Sequence, residues 1–294
     1  MKKTLGFAAI CLIWGTTFLA IKIGLQDLPP LLAVGMRFLA AGAVLAAYLR
    51  LADGGIVLAK DKGNLRLMVC LTFLSYLVPY ALVYWGEQFI SSGLTSVIFA
   101  MLPLNIVILS TVFFRDALSF WDVGGVVLGL AGIALIFSET ILDRSSFHLY
   151  GMIAVYLCSL SHAAMAIVLK KTKVPYDPLK INLVPFLAAG VLITALSLVL
   201  ERGRDVRFTL SAGLSVLYLS VFGTVVAFAV YYWLIPRVKL SLLSTYTYIL
   251  PIVALVVGRI VLQEKLSPLQ FGGTGLVLAG ISLTTRKRNR SSMG

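Results

Sequence analysis

Charge is what this chain lacks: Asp and Glu number 12, Lys and Arg 25, and all four together make up 13% of 294 residues. A water-soluble domain of that size carries about twice as much, so ordinary soluble folds are excluded. Cysteine is scarce too. Cys11, Cys70 and Cys158 all fall inside apolar runs, which leaves neither a disulfide framework nor a CxxC metal site. There are two histidines, His148 and His162, and neither has a carboxylate at ligand-like spacing. A membrane enzyme acting on lipid would need a clustered nucleophile, base or metal set, so that class is disfavoured, and no cofactor is expected. The GxxxxGK[ST] phosphate loop is absent as well, which excludes ATP hydrolysis by this chain.

What is there is apolar. Hydrophobic residues reach 60% and the mean hydropathy is +0.98, the composition of an integral membrane protein. A hydrocarbon core about 30 Å thick needs roughly 20 helical residues per crossing. Ten runs meet that need, near 5–25, 30–50, 66–86, 91–114, 121–138, 149–170, 179–200, 210–234, 240–262 and 268–286. The expected fold is therefore all-α, with ten transmembrane helices.

The stretch from Tyr84 to Ile133 returns in register from Tyr232 to Ile281, displaced by 148 positions without a gap. The shift lays Trp85 on Trp233, Pro103 on Pro251, Gly124-Gly125 on Gly272-Gly273 and Gly132 on Gly280. Carried backwards, it pairs Lys22 with Lys170 and Phe38-Leu39-Ala40-Ala41-Gly42 with Phe186-Leu187-Ala188-Ala189-Gly190. The period is far too long for a solenoid, so each half is a domain-sized unit: 1–143, then 149–286, then a basic tail 287–294. The first run reads as a retained span rather than a cleaved leader, because its counterpart lies in mid-chain.

Five crossings per half is an odd number, so the second copy enters the membrane from the opposite side. With the N-terminus cytoplasmic, 17 Lys and Arg fall on inner segments, among them Lys2, Arg66, Lys171 and Arg237, and 5 on outer ones. That bias puts both termini in the cytoplasm of a multi-pass inner-membrane protein. The net charge of +13 is then a property of loops and points to no nucleic-acid partner.

Candidate site residues follow from helical faces. Tyr76, Tyr80, Tyr84 and Glu87 stand at i, i+4, i+8 and i+11 on the third span, one stripe that reads either as cavity lining or as an aromatic belt and ordinary packing. The 148 shift carries Tyr76 and Tyr80 onto Thr224 and Phe228. Ser241, Ser244, Thr245 and Tyr248 line one face of the ninth span, and Ser96 is the counterpart of Ser244 in the fourth; hydroxyls in lipid must find partners, so this face points inward. Pro103 and Pro251 kink their helices and free carbonyls near Phe99 and Thr247 for water or substrate. His162, laid on Trp14 by the repeat, reads either as a substrate or proton ligand or as one end of an interhelical hydrogen bond. Lys22, Arg37 and Glu87 read as snorkelling side chains or as an ion-paired gate, Lys22 or Arg37 with Glu87.

Trp14-Gly15-Thr16-Thr17-Phe18-Leu19-Ala20-Ile21-Lys22, Pro29-Pro30 followed by Arg37-Phe38, Pro103, and the glycine pattern from Gly124 to Ile133 with its copy together resemble the EamA family of the drug/metabolite transporter superfamily. The resemblance spans nearly the whole chain. It implies two inverted five-helix halves around a cavity lined by spans 1, 3, 4, 6, 8 and 9, with Trp14 and Thr17 on its wall, and export of amino acids or other small metabolites. The expected activity is secondary export of small amphipathic metabolites by alternating access, by a monomer in the lipid bilayer, with protons as a candidate coupling ion. The alternative within transport is a drug or quaternary-amine exporter, for which an aromatic box is available and a mid-depth anion is not.

Overall fold

The computed structural model describes residues 2–52, 62–114, 119–142, 146–172, 177, 179–234, 237–238 and 246–291. Among them there is no strand, and ten helical stretches follow one another. These are α1 (Lys2–Gly24), α2 (Pro30–Ala52), α3 (Lys62–Glu87), α4 (Ser92–Phe114), α5 (Phe120–Leu142), α6 (Ser146–Lys171), α7 (Leu183–Leu200, entered through a 3₁₀ turn at Lys180–Asn182), α8 (Leu210–Ser220, Val221–Val226 and Ala227–Leu234 in succession), α9 (Tyr246–Val261) and α10 (Pro268–Ser291). Eight stretches are long and apolar enough to cross a membrane. The last two contain shorter apolar helices, Ile249–Val261 and Pro268–Leu283. Large apolar side chains such as Val127, Leu196, Val199, Leu214, Leu217 and Ile260 stand on the outside of the bundle. In water such a surface would aggregate; in lipid it is the solvated face.

Helix starts repeat between the halves. Ser119 and Asp122 form a reciprocal cap at the head of α5: Ser119 N donates to Asp122 Oδ2 at 2.9 Å and Asp122 N to Ser119 Oγ at 3.2 Å. Their counterparts Ser267 and Gln270 do the same for α10, at 3.2 and 3.1 Å. Each box satisfies donors that lipid could not.

Packing between the halves is reciprocal. A Cβ on Gly132 of α5 would meet Gly273 O of α10 at 2.6 Å, and a Cβ on Gly280 would meet Gly125 O at 2.5 Å. Under the 148 shift Gly273 is Gly125 and Gly280 is Gly132, so the crossing maps onto itself when the halves are exchanged. The α2–α7 crossing behaves alike, Gly42 against Leu187 and Gly190 against Leu39. Contacts of that form are the signature of a two-fold relation, and small residues let the backbones approach where lipid offers no hydrophobic drive.

Two helices depart from α geometry at nearly equivalent places. α3 carries a π-helical turn at Thr72–Leu77 and α8 one at Val221–Val226. In α3 Pro79 has no N–H to donate, and Val78 N bonds back to Phe73 O, five residues away. The carbonyl of Leu74 is left over, and Ser161 Oγ of α6 donates to it at 2.9 Å.

Candidate functional site: a cavity between the halves

A cavity of about 150 Å³ lies inside the bundle, walled by α1, α2, α3, α4, α6, α8 and α9. Trp14, Thr17, Phe18 and Ile21 come from α1, Tyr80 and Val83 from α3, Phe99 and Leu102 from α4, Cys158 and His162 from α6, Phe228 from α8, and Tyr246 and Leu250 from α9. Three repeat-related pairs contribute both members: Trp14 with His162, Tyr80 with Phe228, and Leu102 with Leu250. Trp14 packs against Phe228, Tyr231 and Tyr246 with ring centroids 5.6, 5.4 and 5.2 Å apart. That makes one aromatic wall.

His162 stands opposite, edge-on to Phe99 and Tyr80. Its Nδ1 lies 3.0 Å from Cys158 O one turn earlier in its own helix. A carbonyl only accepts, so Nδ1 carries a proton, and Nε2 is an acceptor whenever the ring is neutral. The interhelical bond considered for this histidine is thus intrahelical.

Arg37 is the seventh wall, and the sequence reading of it as a gate residue needs correction. It is 2% exposed and fully inside. Its Nε donates to Thr224 Oγ1 at 3.1 Å, and its two terminal nitrogens reach Tyr84 Oη and Gly223 O at 3.5 Å each. The guanidinium carbon sits 4.7 Å from the centroid of the Tyr80 ring, a cation–π contact. Thr224 does not line the cavity; it lies behind Arg37 and holds it. Its hydroxyl donates to Leu219 O, five residues back in the π turn, which aims the oxygen's lone pairs at the guanidinium.

Tyr76 is also displaced from the place its spacing suggests. Tyr76 and Tyr80 both pack on Phe38, but Tyr80 lines the cavity and Tyr76 does not. Tyr76 points to α7, where its hydroxyl donates to Asn182 Oδ1 at 2.5 Å and its ring packs on Phe38 and Phe186.

The kinks differ from each other. α4 breaks at Ala100-Met101, just before Pro103, and restarts at Leu102, whereas Pro251 sits inside the continuous helix α9. The carbonyl of Phe99, expected to be free for substrate, accepts from Ser159 Oγ of α6 at 3.2 Å. Ser96 is buried, donates to Gly93 O at 2.6 Å, and with Phe99 borders a small recess beside Tyr246 and Leu250. Ser241, Ser244, Thr245 and the side chain of Tyr248 lie outside the described residues.

One end of the bundle, marked by Asp27, is closed by bonds between the halves. Glu201 caps α2 by accepting from Leu31 N at 3.0 Å and Leu32 N at 3.1 Å. Glu264 caps α4 by accepting from Ser92 N and Ser92 Oγ at 2.8 Å each and Gly93 N at 3.2 Å. Carboxylates at helix N-termini are well placed for both hydrogen bonding and the helix dipole. Thr209 and Ser211 hold Asp27 Oδ2, and Arg207 N donates to Asp27 O at 2.9 Å.

Lys22 belongs to the same closure, but not through an ion pair with Glu87. Its ammonium donates to the carbonyls of Glu87 at 2.5 Å, Ile90 at 2.8 Å and Gln88 at 3.4 Å, capping the C-terminus of α3 with positive charge. Both carboxylate oxygens of Glu87 are buried without a hydrogen-bond partner among the described residues. The expected Lys22–Glu87 and Arg37–Glu87 pairs are not formed, because the carbonyls of a helix end compete for the lysine and Thr224 takes the arginine.

Sequence reasoning passed over Glu264 and Glu201 as closing groups and Tyr246 and Cys158 as wall residues. Only Glu264 carried a hint, its depth beside Lys22.

Comparison with known proteins gives this architecture a family. The model of the EamA-like transporter family matches twice, over residues 1–138 and 149–286. The uncharacterized inner membrane transporter YedA of Escherichia coli (strain K12) is 31% identical over 279 residues, 94% of this chain and 88% of that one. The uncharacterized transporter YoaV of Bacillus subtilis (strain 168) is 28% identical over 285 residues, 97% of each chain. A solved crystal structure with 19% identity and a TM-score of 0.66 over 98% of both chains shares the fold. This chain is a multi-pass membrane protein that belongs to the EamA-like transporter family.

Proposed function

We propose that the protein is a secondary transporter that exports small amphipathic metabolites, amino acids foremost, by alternating access between two inverted five-helix halves, 1–143 and 149–286. The observation that carries this reading is the cavity itself. It lies between the halves and takes repeat-related pairs from both, and near Asp27 hydrogen bonds cross from one half to the other. Alternating access needs an equivalent closure at the opposite end in a second state. The reciprocal glycine crossings support a two-fold relation between the halves, and with five crossings in each, as the sequence predicts, that relation would be an inversion. On this reading both termini and the tail 287–294 are cytoplasmic, the protein acts as a monomer in the inner membrane, and protons are the candidate coupling ion.

The aromatic wall of Trp14, Phe228, Tyr231 and Tyr246 favours a second reading, export of drugs or quaternary amines. Arg37 opposes it, since a buried cation repels another. Proteoliposomes loaded with a metabolite mixture, placed under a pH gradient and assayed for what leaves, decide the matter. Amino acids should leave faster than from protein-free liposomes. Selective loss of quaternary amines would favour the second reading, and no protein-dependent loss of any solute would end both.

A further inference from the structure

Among the described residues that line the cavity Arg37 is the one Lys, Arg, Asp or Glu. Trp14, Tyr80 and Leu102 have counterparts on the wall, whereas Arg37, like Thr17, Phe99 and Tyr246, has none: the 148 shift lays it on Pro185. Arg37 is the charged member of that unpaired set.

The hydrogen bonds of Arg37 leave capacity unused. A guanidinium has five N–H donors. Here Nε makes one good bond, to Thr224 Oγ1 at 3.1 Å, and each terminal nitrogen makes one contact at the 3.5 Å limit. Two N–H groups remain on terminal nitrogens, and no carboxylate is among the partners of Arg37 in the described residues. A buried cation with only neutral partners is costly, and the fork of a guanidinium matches a carboxylate bidentately. Apart from Thr17, Cys158 and His162 the rest of the wall is apolar or aromatic, and it offers no acidic side chain for an ammonium.

We propose that Arg37 anchors a substrate carboxylate and that the substrates are monocarboxylates with an apolar or aromatic body, for which an α-ammonium group is dispensable. This rests on the transporter reading above and narrows it. Amino acids are then carried as one kind of carboxylate, and Thr224 and Tyr80 are positioning residues that hold the guanidinium.

The test is a matched trio measured by titration calorimetry on the full chain in lipid nanodiscs, with empty discs as blank: phenylalanine, 3-phenylpropionate, which lacks the ammonium, and phenethylamine, which lacks the carboxylate. Phenylalanine and 3-phenylpropionate should bind with similar Kd, within about threefold, and phenethylamine at least about tenfold more weakly. Arg37→Gln should weaken the first two about 10- to 100-fold, the loss of a charge-assisted bond, and should not weaken phenethylamine, whose ammonium is relieved of a buried cation. If Arg37→Gln does not fold, Arg37→Lys keeps the charge without the fork and should give intermediate weakening in the same ligand order. Tight phenethylamine with silent 3-phenylpropionate overturns the carboxylate anchor while leaving the transporter reading standing. So does unaltered binding in Arg37→Gln or Arg37→Lys, or silence of all three compounds when proteoliposomes release other solutes. Proteoliposomes that release nothing overturn the transporter reading itself.

Discussion

Arg37 of α2 donates from Nε to Thr224 Oγ1 of α8 at 3.1 Å, across 187 positions of sequence and from one half of the molecule to the other. In the π turn of α8 the threonine hydroxyl donates to Leu219 O, which aims its oxygen at the guanidinium, and the Gly223 carbonyl lies 3.5 Å from Arg37. Thr224→Val keeps the shape and removes the acceptor. A hydrogen bond to a charged group is worth about 1.5–3 kcal/mol, so thermal unfolding in detergent should show a loss of that order. Thr224→Ser, which retains the oxygen, should restore most of it.

The α5–α10 seam should tolerate no side chain. At Gly132 a Cβ would lie 2.6 Å from Gly273 O, whereas at Gly213 it meets nothing within 4 Å. Gly132→Ala is expected to cost about 1–3 kcal/mol by overpacking. Gly213→Ala should be stabilising by about 0.5–1 kcal/mol, since alanine suits a helix better than glycine. Equal melting temperatures for the two variants would contradict the seam.

Glu87 and Lys22 interact by charge without a hydrogen bond between their side chains. Because both oxygens of Glu87 are buried and unsatisfied, Glu87→Gln removes a buried charge and should not destabilise the chain. Lys22→Met uncaps α3 and should cost about 1–3 kcal/mol. Thermal unfolding in detergent checks both: a melting temperature lowered by Glu87→Gln as far as by Lys22→Met would show that the carboxylate has a partner the geometry does not give it.

Closure of the Asp27 end can be read through Cys158, a cavity residue that is 1% exposed. In a chain with Cys11 and Cys70 replaced by alanine, a membrane-impermeant thiol reagent should reach it slowly. Glu264→Gln removes charge from the cap on α4 and should raise the labelling rate by about tenfold, corresponding to about 1.4 kcal/mol. An unchanged rate would show that the cap does not hold this end shut.

The helices and much of the wall were legible because lipid imposes long apolar runs and because the repeat marks equivalent places: Trp14 with His162 and Tyr80 with Phe228 were found that way. Tyr76 shares Phe38 with Tyr80 but gives its hydroxyl to Asn182, and spacing within one helix does not reveal a partner on another. Opposite charges at equal depth suggested Lys22–Glu87 and Arg37–Glu87 pairs. Depth along the chain does not reveal the carbonyls at a helix end or a threonine on another span, and those won the two cations. Capping by Glu201 and Glu264 was hidden for the same reason, each acid meeting a helix more than 160 positions away.

In each π turn a carbonyl takes a donor from the other half. Leu74 O is supplied by Ser161 of the other half, and Gly223 O is approached by Arg37 of the other half. Hydrocarbon holds no substitute donor. The third span can therefore swivel only if the sixth travels with it, and the eighth only if the second does. The bundle is geared rather than jointed.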